Sequence, residues 1–248
     1  MDSIDSILEQ GHEAYDQADY KLALRLYTRA LRLDEHSESA HYNLANTLMH
    51  VNRLTEALKH YHIALELNPQ RAKTYNNIGL VHKRRQDWEQ AIHWFEQALV
   101  CDPQYFRACN NLANLYASLG QYVEAENWYL KCLVLEPAHL NAQFNLAKLY
   151  LSLGRSAEAA RLLAQIVDLD PAHALAWSEL GLLAQSAGDP VAARNCWERA
   201  LLGDPKHMVT VVHLARLYCQ LGELELAEGL YQRMVEWGEQ SEDTGSEN

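Results

Sequence analysis

The chain has 248 residues, is 48% apolar and carries a formal net charge of −12. The apolar share can fill a packed interior, and the acidic balance argues against a general nucleic-acid surface, which is normally basic. No run approaches the ~18 apolar residues that a membrane span needs, and Met1-Asp2-Ser3-Ile4-Asp5 has neither the basic start nor the apolar segment of a signal peptide.

The first element is expected to be a helix opening at the N-terminus. Beyond it the chain is periodic. Pro69, Pro103, Pro137, Pro171 and Pro205 stand 34 residues apart, and a fixed period of that size marks a repeat array. With proline at column 32, the repeats run 4–37, 38–71, 72–105, 106–139, 140–173, 174–207 and 208–241. Repeat 1 sets Gly11 at column 8, Ala23 at column 20 and Tyr27 at column 24. The same columns hold Ala45, Ala57 and Tyr61, then Gly79, Ala91 and Phe95, then Ala113, Ala125 and Tyr129. They continue as Ala147, Ala159 and Leu163, then Gly181, Ala193 and Trp197, and last Ala215, Ala227 and Tyr231.

Small residues at columns 8 and 20 let two helices approach, and the large residue at column 24 fills the space beside them. Enlarging a small one should overpack the contact at roughly 1–3 kcal/mol. Gly120, Gly154, Gly188 and Gly222 occupy column 15 and suit the left-handed conformation that ends a helix. Column-32 proline lacks an N–H and marks a turn. Pro190 follows Asp189, a good N-cap, and proline is tolerated in a helix's first turn. Each repeat therefore reads as helix, tight turn, helix, turn. A solenoid is one continuous body, so residues 1–241 are expected to form one solenoid and 242–248 an acidic disordered tail.

These columns identify the chain as resembling the tetratricopeptide repeat family. The resemblance covers about 238 of 248 residues; column 4 departs from it at His41, Cys109 and Gln143, and column 17 at Ser156. It implies an all-α, right-handed superhelical solenoid whose first helices line a concave, peptide-binding groove. It also implies that His139, His173 and His207, at column 34, lie exposed in turns.

At ~100° per residue, columns 2, 6, 9 and 13 share one polar face of each first helix. In repeats 2 to 5 that stripe reads Ser39, Asn43, Asn46, His50; Lys73, Asn77, Leu80, Arg84; Arg107, Asn111, Asn114, Ser118; and Asn141, Asn145, Lys148, Ser152. These sixteen positions hold seven of the fourteen asparagines of the chain. Uniform scatter would place about one there, and asparagine has no helical preference to favour the sites. Asn43, Asn77, Asn111 and Asn145 form a ladder at column 6. An amide carries donor and acceptor together, so such a row can pair with the backbone of an extended peptide. It resembles the asparagine ladder in the repeat domain of O-linked N-acetylglucosamine transferase, without that enzyme's catalytic domain. The stripe also holds Lys73, Arg84, Arg107 and Lys148 and no acid, which points to an acidic segment or a carboxylate terminus. The two-carboxylate clamp of the family's chaperone-binding members is matched by Asn43 and Lys73 but not by Leu8, His12 or Asn77.

The expected function is thus a non-catalytic scaffold for protein–protein interaction, holding an extended acidic peptide. Two alternatives are an assembly protein that self-associates through its terminal repeats, with Tyr231, Met234, Val235 and Trp237 exposed, and an accessory subunit that presents substrates to a separate enzyme. No phosphate loop, nucleophile elbow or Cys/His pair is present, and no cofactor or metal is expected. Cys101, Cys109, Cys132, Cys196 and Cys219 have no disulfide or zinc spacing; they are expected to be reduced and mostly buried, in a cytoplasmic protein.

Overall fold

The computed structural model describes residues 3–243. Fourteen α-helices and no strand occur among the described residues. They pair as α1 (Ile4–Asp16) with α2 (Tyr20–Leu33), α3 (Glu38–His50) with α4 (Leu54–Leu67), α5 (Ala72–Arg84) with α6 (Trp88–Cys101), and α7 (Phe106–Ser118) with α8 (Tyr122–Leu135). The pairs continue as α9 (Leu140–Ser152) with α10 (Ser156–Leu169), α11 (Ala174–Ser186) with α12 (Pro190–Gly203), and α13 (Met208–Leu221) with α14 (Leu224–Asp243). By contact the chain divides into two compact bodies, Met1–Pro137 and Ala138–Asn248. α14 takes in Glu242 and Asp243 from the expected tail; 244–248 lie outside the described residues.

Side-chain caps set several of the helix starts. Ser3, Ser37 and Asp189, just before α1, α3 and α12, accept the backbone N–H three residues on, at 3.2, 3.3 and 2.9 Å, satisfying one orphan donor of the first turn. The column-34 histidines depart from expectation. His139 and His173 are half-buried N-caps, and their Nδ1 atoms accept the amides of Ala142 and Ala176 at 3.0 and 3.1 Å. An accepting Nδ1 carries no proton, so the neutral ring bears its hydrogen on Nε2. His207 turns instead to Thr210, with Nδ1 2.6 Å from its Oγ1.

The turn inside each pair needs a left-handed residue at column 15. Gly120, Gly154, Gly188 and Gly222 supply it with φ of 73° to 79°. Ala18, Asn52 and Gln86 take the same role at φ of 58° to 61°, so the turn forms without glycine and carries the strain of a Cβ there.

The core lies between the paired helices. Tyr27, Tyr61, Phe95, Tyr129, Leu163 and Trp197 are buried at column 24 over the buried alanines of column 20. Column 8 must be small: a Cβ on Gly79 would lie 2.6 Å from the Phe95 ring, and one on Gly181 2.3 Å from Trp197 Nε1. The unusual column-4 residues His41, Cys109 and Gln143 are all buried. In the last repeat Tyr231 and Val235 are 41% and 60% exposed, while Met234 and Trp237 pack partly against the core. All five cysteines are free; Cys109 and Cys132 are buried, Cys101 and Cys196 half-buried and Cys219 exposed.

Candidate functional site

The asparagine ladder of the first body is bonded into the protein. The Tyr61 hydroxyl donates to Asn46 Oδ1 at 2.6 Å, and Asn77 Nδ2 donates to the same oxygen at 2.8 Å. Asn77 Nδ2 also donates to Tyr42 Oη at 2.9 Å, and its Oδ1 accepts from Asn76 Nδ2 at 3.3 Å. Asn111 Nδ2 donates to Asn76 Oδ1 at 2.8 Å. Asn43 Nδ2 donates to His12 Nε2 at 2.8 Å. Column 6 of one helix thus reaches back to the preceding first helix, usually to its column 9. Low dielectric strengthens such a network and makes each missing partner costly.

This corrects the reading of Asn77. It is buried, both its amide hydrogens are used internally and its Oδ1 accepts from Asn76, so it has no free donor for a peptide. Asn43, Asn46, Asn111 and Asn114 are half-buried. Asn114 Oδ1 accepts from the Tyr129 hydroxyl at 2.6 Å, repeating the Tyr61–Asn46 pair. His12, Tyr15, Asp16, Tyr27, Asn43 and Asn46 line an open polar cleft of about 300 Å³.

Repeat 3 breaks the pattern. Its column 9 is Leu80 and its column 24 is Phe95, so neither half of the tyrosine–asparagine pair is present. There a cleft of about 450 Å³ opens between α3, α5, α6 and α7, lined by Met49, Leu80, Lys83, Arg84, Trp88 and Ser118. Sequence reasoning placed Arg84 on the stripe but missed this cleft. The apolar Leu80 at column 9, in an otherwise polar stripe, was the signal for it.

The cations gather at both ends of α5. Near its start, Lys73 Nζ lies 5.3 Å from the Tyr42 ring centroid, and the Arg71 guanidinium 3.8 Å from it. Arg71 is paired with Glu38. Burial, then Arg71 and Arg107, push the Lys73 pKa down. Lys73 and Arg107 are exposed and have no ion-pair partner among the described residues. At the other end, Arg84 donates from Nη1 to the Met49 carbonyl at 2.6 Å. Lys83 is half-buried, and burial pushes its pKa down. In the second body, α9 carries Asn141 and Lys148 exposed and Asn145 half-buried.

Tetratricopeptide repeat signatures match residues 37–101, 106–139, 144–203 and 178–243. The chain belongs to the tetratricopeptide repeat family. It is an all-α solenoid of about seven repeats, and tetratricopeptide repeats are generally non-catalytic modules for protein–protein interaction. No curated protein matches the chain. Among solved structures it is similar to YrrB, described as a tetratricopeptide repeat protein with an unusual peptide-binding site. Identity is 25%, over 75% of this chain and 96% of that one, with a TM-score of 0.58. Pseudomonas aeruginosa PilF aligns at 19% identity over 86% of this chain and 97% of its own, with a TM-score of 0.71. MamA aligns at 20% identity over 65% and 94%, with a TM-score of 0.57. The last two likenesses concern the fold alone.

No described helix is long and apolar enough to cross a membrane. Among the described residues no group of three or more His, Cys, Asp or Glu side chains could hold a metal ion.

Proposed function

We propose that this tetratricopeptide repeat chain is a non-catalytic scaffold that binds an extended acidic peptide on the first helices of its first body. The observation that carries the proposal is the pair Lys73 and Arg107, exposed and without an ion-pair partner among the described residues, in a chain of net charge −12. Arg84 adds a cation at the far end of α5. Asn43, Asn46 and Asn111 border the same face and offer amide edges beyond their internal bonds, and Asn114 borders it too. Asn141, Asn145 and Lys148 present the same residue types on α9 of the second body. The likeness to YrrB, a protein described by its peptide-binding site, supports this reading. The free cysteines support a reducing compartment, and we place the protein in the cytoplasm.

Fluorescence anisotropy with a labelled Glu-rich peptide and its Gln-substituted counterpart tests the proposal. The acidic peptide should bind, the neutral one should not, and Lys73→Glu with Arg107→Glu should abolish binding. Equal binding of both peptides would remove the acidic ligand. A second reading, self-association, is favoured by the exposure of Tyr231 and Val235 on the last helix. Sedimentation velocity across protein concentration separates it, since a scaffold of the first kind stays monomeric.

A further inference from the structure

We infer that the cleft lined by Met49, Leu80, Lys83, Arg84, Trp88 and Ser118 anchors one bulky apolar side chain flanked by an acidic residue of the bound segment. The inference rests on the proposed peptide-binding function and adds a specificity element to it.

The cleft's size and chemistry argue for this occupant. Its volume of about 450 Å³ falls in the ~300–1,000 Å³ range of small-ligand sites and leaves room for a large side chain. Met49, Leu80 and Trp88 supply apolar walls. The tyrosine–asparagine pair of repeats 2 and 4 is missing here, because Leu80 stands where Asn46 and Asn114 stand, and Phe95 where Tyr61 and Tyr129 stand. A ligand's apolar group therefore displaces no bonded amide.

The rim is cationic. Lys83 is half-buried, and its ammonium has no ion-pair or hydrogen-bond partner among the described residues. Burying part of an ammonium without an anion is unfavourable, and a ligand carboxylate would relieve that cost. Arg84 is held by its bond to the Met49 carbonyl, which leaves most of its five N–H donors free in a fixed fork suited to a carboxylate. The Ser118 hydroxyl donates to the Leu115 carbonyl at 2.7 Å. No acid lines the cleft. Charge complementarity thus selects an acidic neighbour for the apolar side chain.

The test uses the full chain and fluorescein-labelled Gly/Ser peptides bearing one Trp between two Glu residues. Two control peptides replace Trp by Ala or both Glu by Gln. The parent peptide should bind at least about tenfold more tightly than either control. Lys83→Gln should weaken only the parent peptide, by about tenfold. Leu80→Asn with Phe95→Tyr, which reinstates the pair found in repeats 2 and 4, should do the same while circular dichroism and Tm show the fold intact. If Trp and Ala peptides bind alike, or Leu80→Asn with Phe95→Tyr binds the parent normally, the anchor is overturned while acidic-peptide binding stands. If no acidic peptide binds, both fall. If Leu80→Asn with Phe95→Tyr instead dissolves a homodimer that binds no peptide, a second copy fills the cleft and the inference is overturned.

Discussion

The two bodies use the same helical hairpin and fill it differently. In Met1–Pro137 the helices are joined by amides and phenols, Tyr61–Asn46–Asn77–Tyr42 and Tyr129–Asn114. Eight of the twelve histidines also fall in its first 93 residues, and three of its turns carry a left-handed residue with a Cβ. In Ala138–Asn248 column 24 holds Leu163, Trp197 and Tyr231, Ile166 and Val167 are buried, and the turns are glycine. A repeat fixes the backbone spacing and leaves the filling open. An apolar filling packs by volume. A polar one must be completed bond by bond, and where completion stops, at Leu80, space remains for something else.

The sharpest break should come from the second body's largest buried side chain. Trp197 is fully buried, and its Nε1 donates to the Ser178 carbonyl at 3.1 Å. Trp197→Ala should destabilise by about 3–5 kcal/mol, read as a lower midpoint in urea. Hydrogen exchange should show the loss in α11, α12 and α13. In the first body, Asn77→Ala strips Asn46 and Tyr42 of a shared donor. Its expected cost is about 1–3 kcal/mol, the penalty of leaving buried groups unpaired. Tyr61→Phe then tests the network: combined with Asn77→Ala it should cost less than the sum of the two, because both act on Asn46. Full additivity would mean that the amides and phenols act independently.

The turns give a reciprocal pair of changes. Gln86 holds φ of 61° and Gly154 holds φ of 73°. Gln86→Gly should stabilise the first body by about 1 kcal/mol, and Gly154→Ala should destabilise the second by about as much. No other atom lies within 4 Å of a Cβ added at Gly154, so backbone strain alone sets that sign. Thermal denaturation of both variants checks it.

The columns made the helix starts, the small-residue contacts and the glycine turns legible, because these are local or repeat at one fixed distance. Left-handed Ala18 and Gln86 were not legible, since their residue types carry no such preference and the neighbouring helices impose the turn. The ladder was legible as a row and not as a network. Asn77 meets Asn46 from 31 residues away and Asn111 meets Asn76 from 35, and helical periodicity says which way a side chain points but not which partner it meets. Leu80 looked like a gap in a polar stripe; only packing showed the gap to be a cleft.

Histidine gives the smallest and most selective contrast. His60 has Nδ1 2.9 Å from Nδ1 of His41, whose Nε2 lies 3.0 Å from the Glu35 carbonyl. If His41 donates to that carbonyl, its Nδ1 accepts and His60 is the donor between the rings. Burial, then His41, lowers the His60 pKa; Glu56 opposes the shift and Lys59 adds to it. His62, set edge-on against Trp94, is lowered by burial and then by His82. In the second body His213 is stacked on Trp197 and lowered by burial, then by Arg216. A folded pKa below the unfolded ~6.5 means that the unfolded chain takes the proton first as pH falls. Stability is therefore full above about 6.5 and declines as pH drops toward the folded values. Glu56 stays charged through this window, because Arg53 holds its pKa below the usual carboxylate value. Tm should fall between pH 7.5 and 5.5, and protection from hydrogen exchange, corrected for the intrinsic rate at each pH, should fall more in α3 and α4 than in α12 and α13. His60→Gln should flatten the decline in the first body and leave the second unchanged. Equal loss of protection in both bodies would show that the paired histidines carry no more of the pH dependence than His213 does.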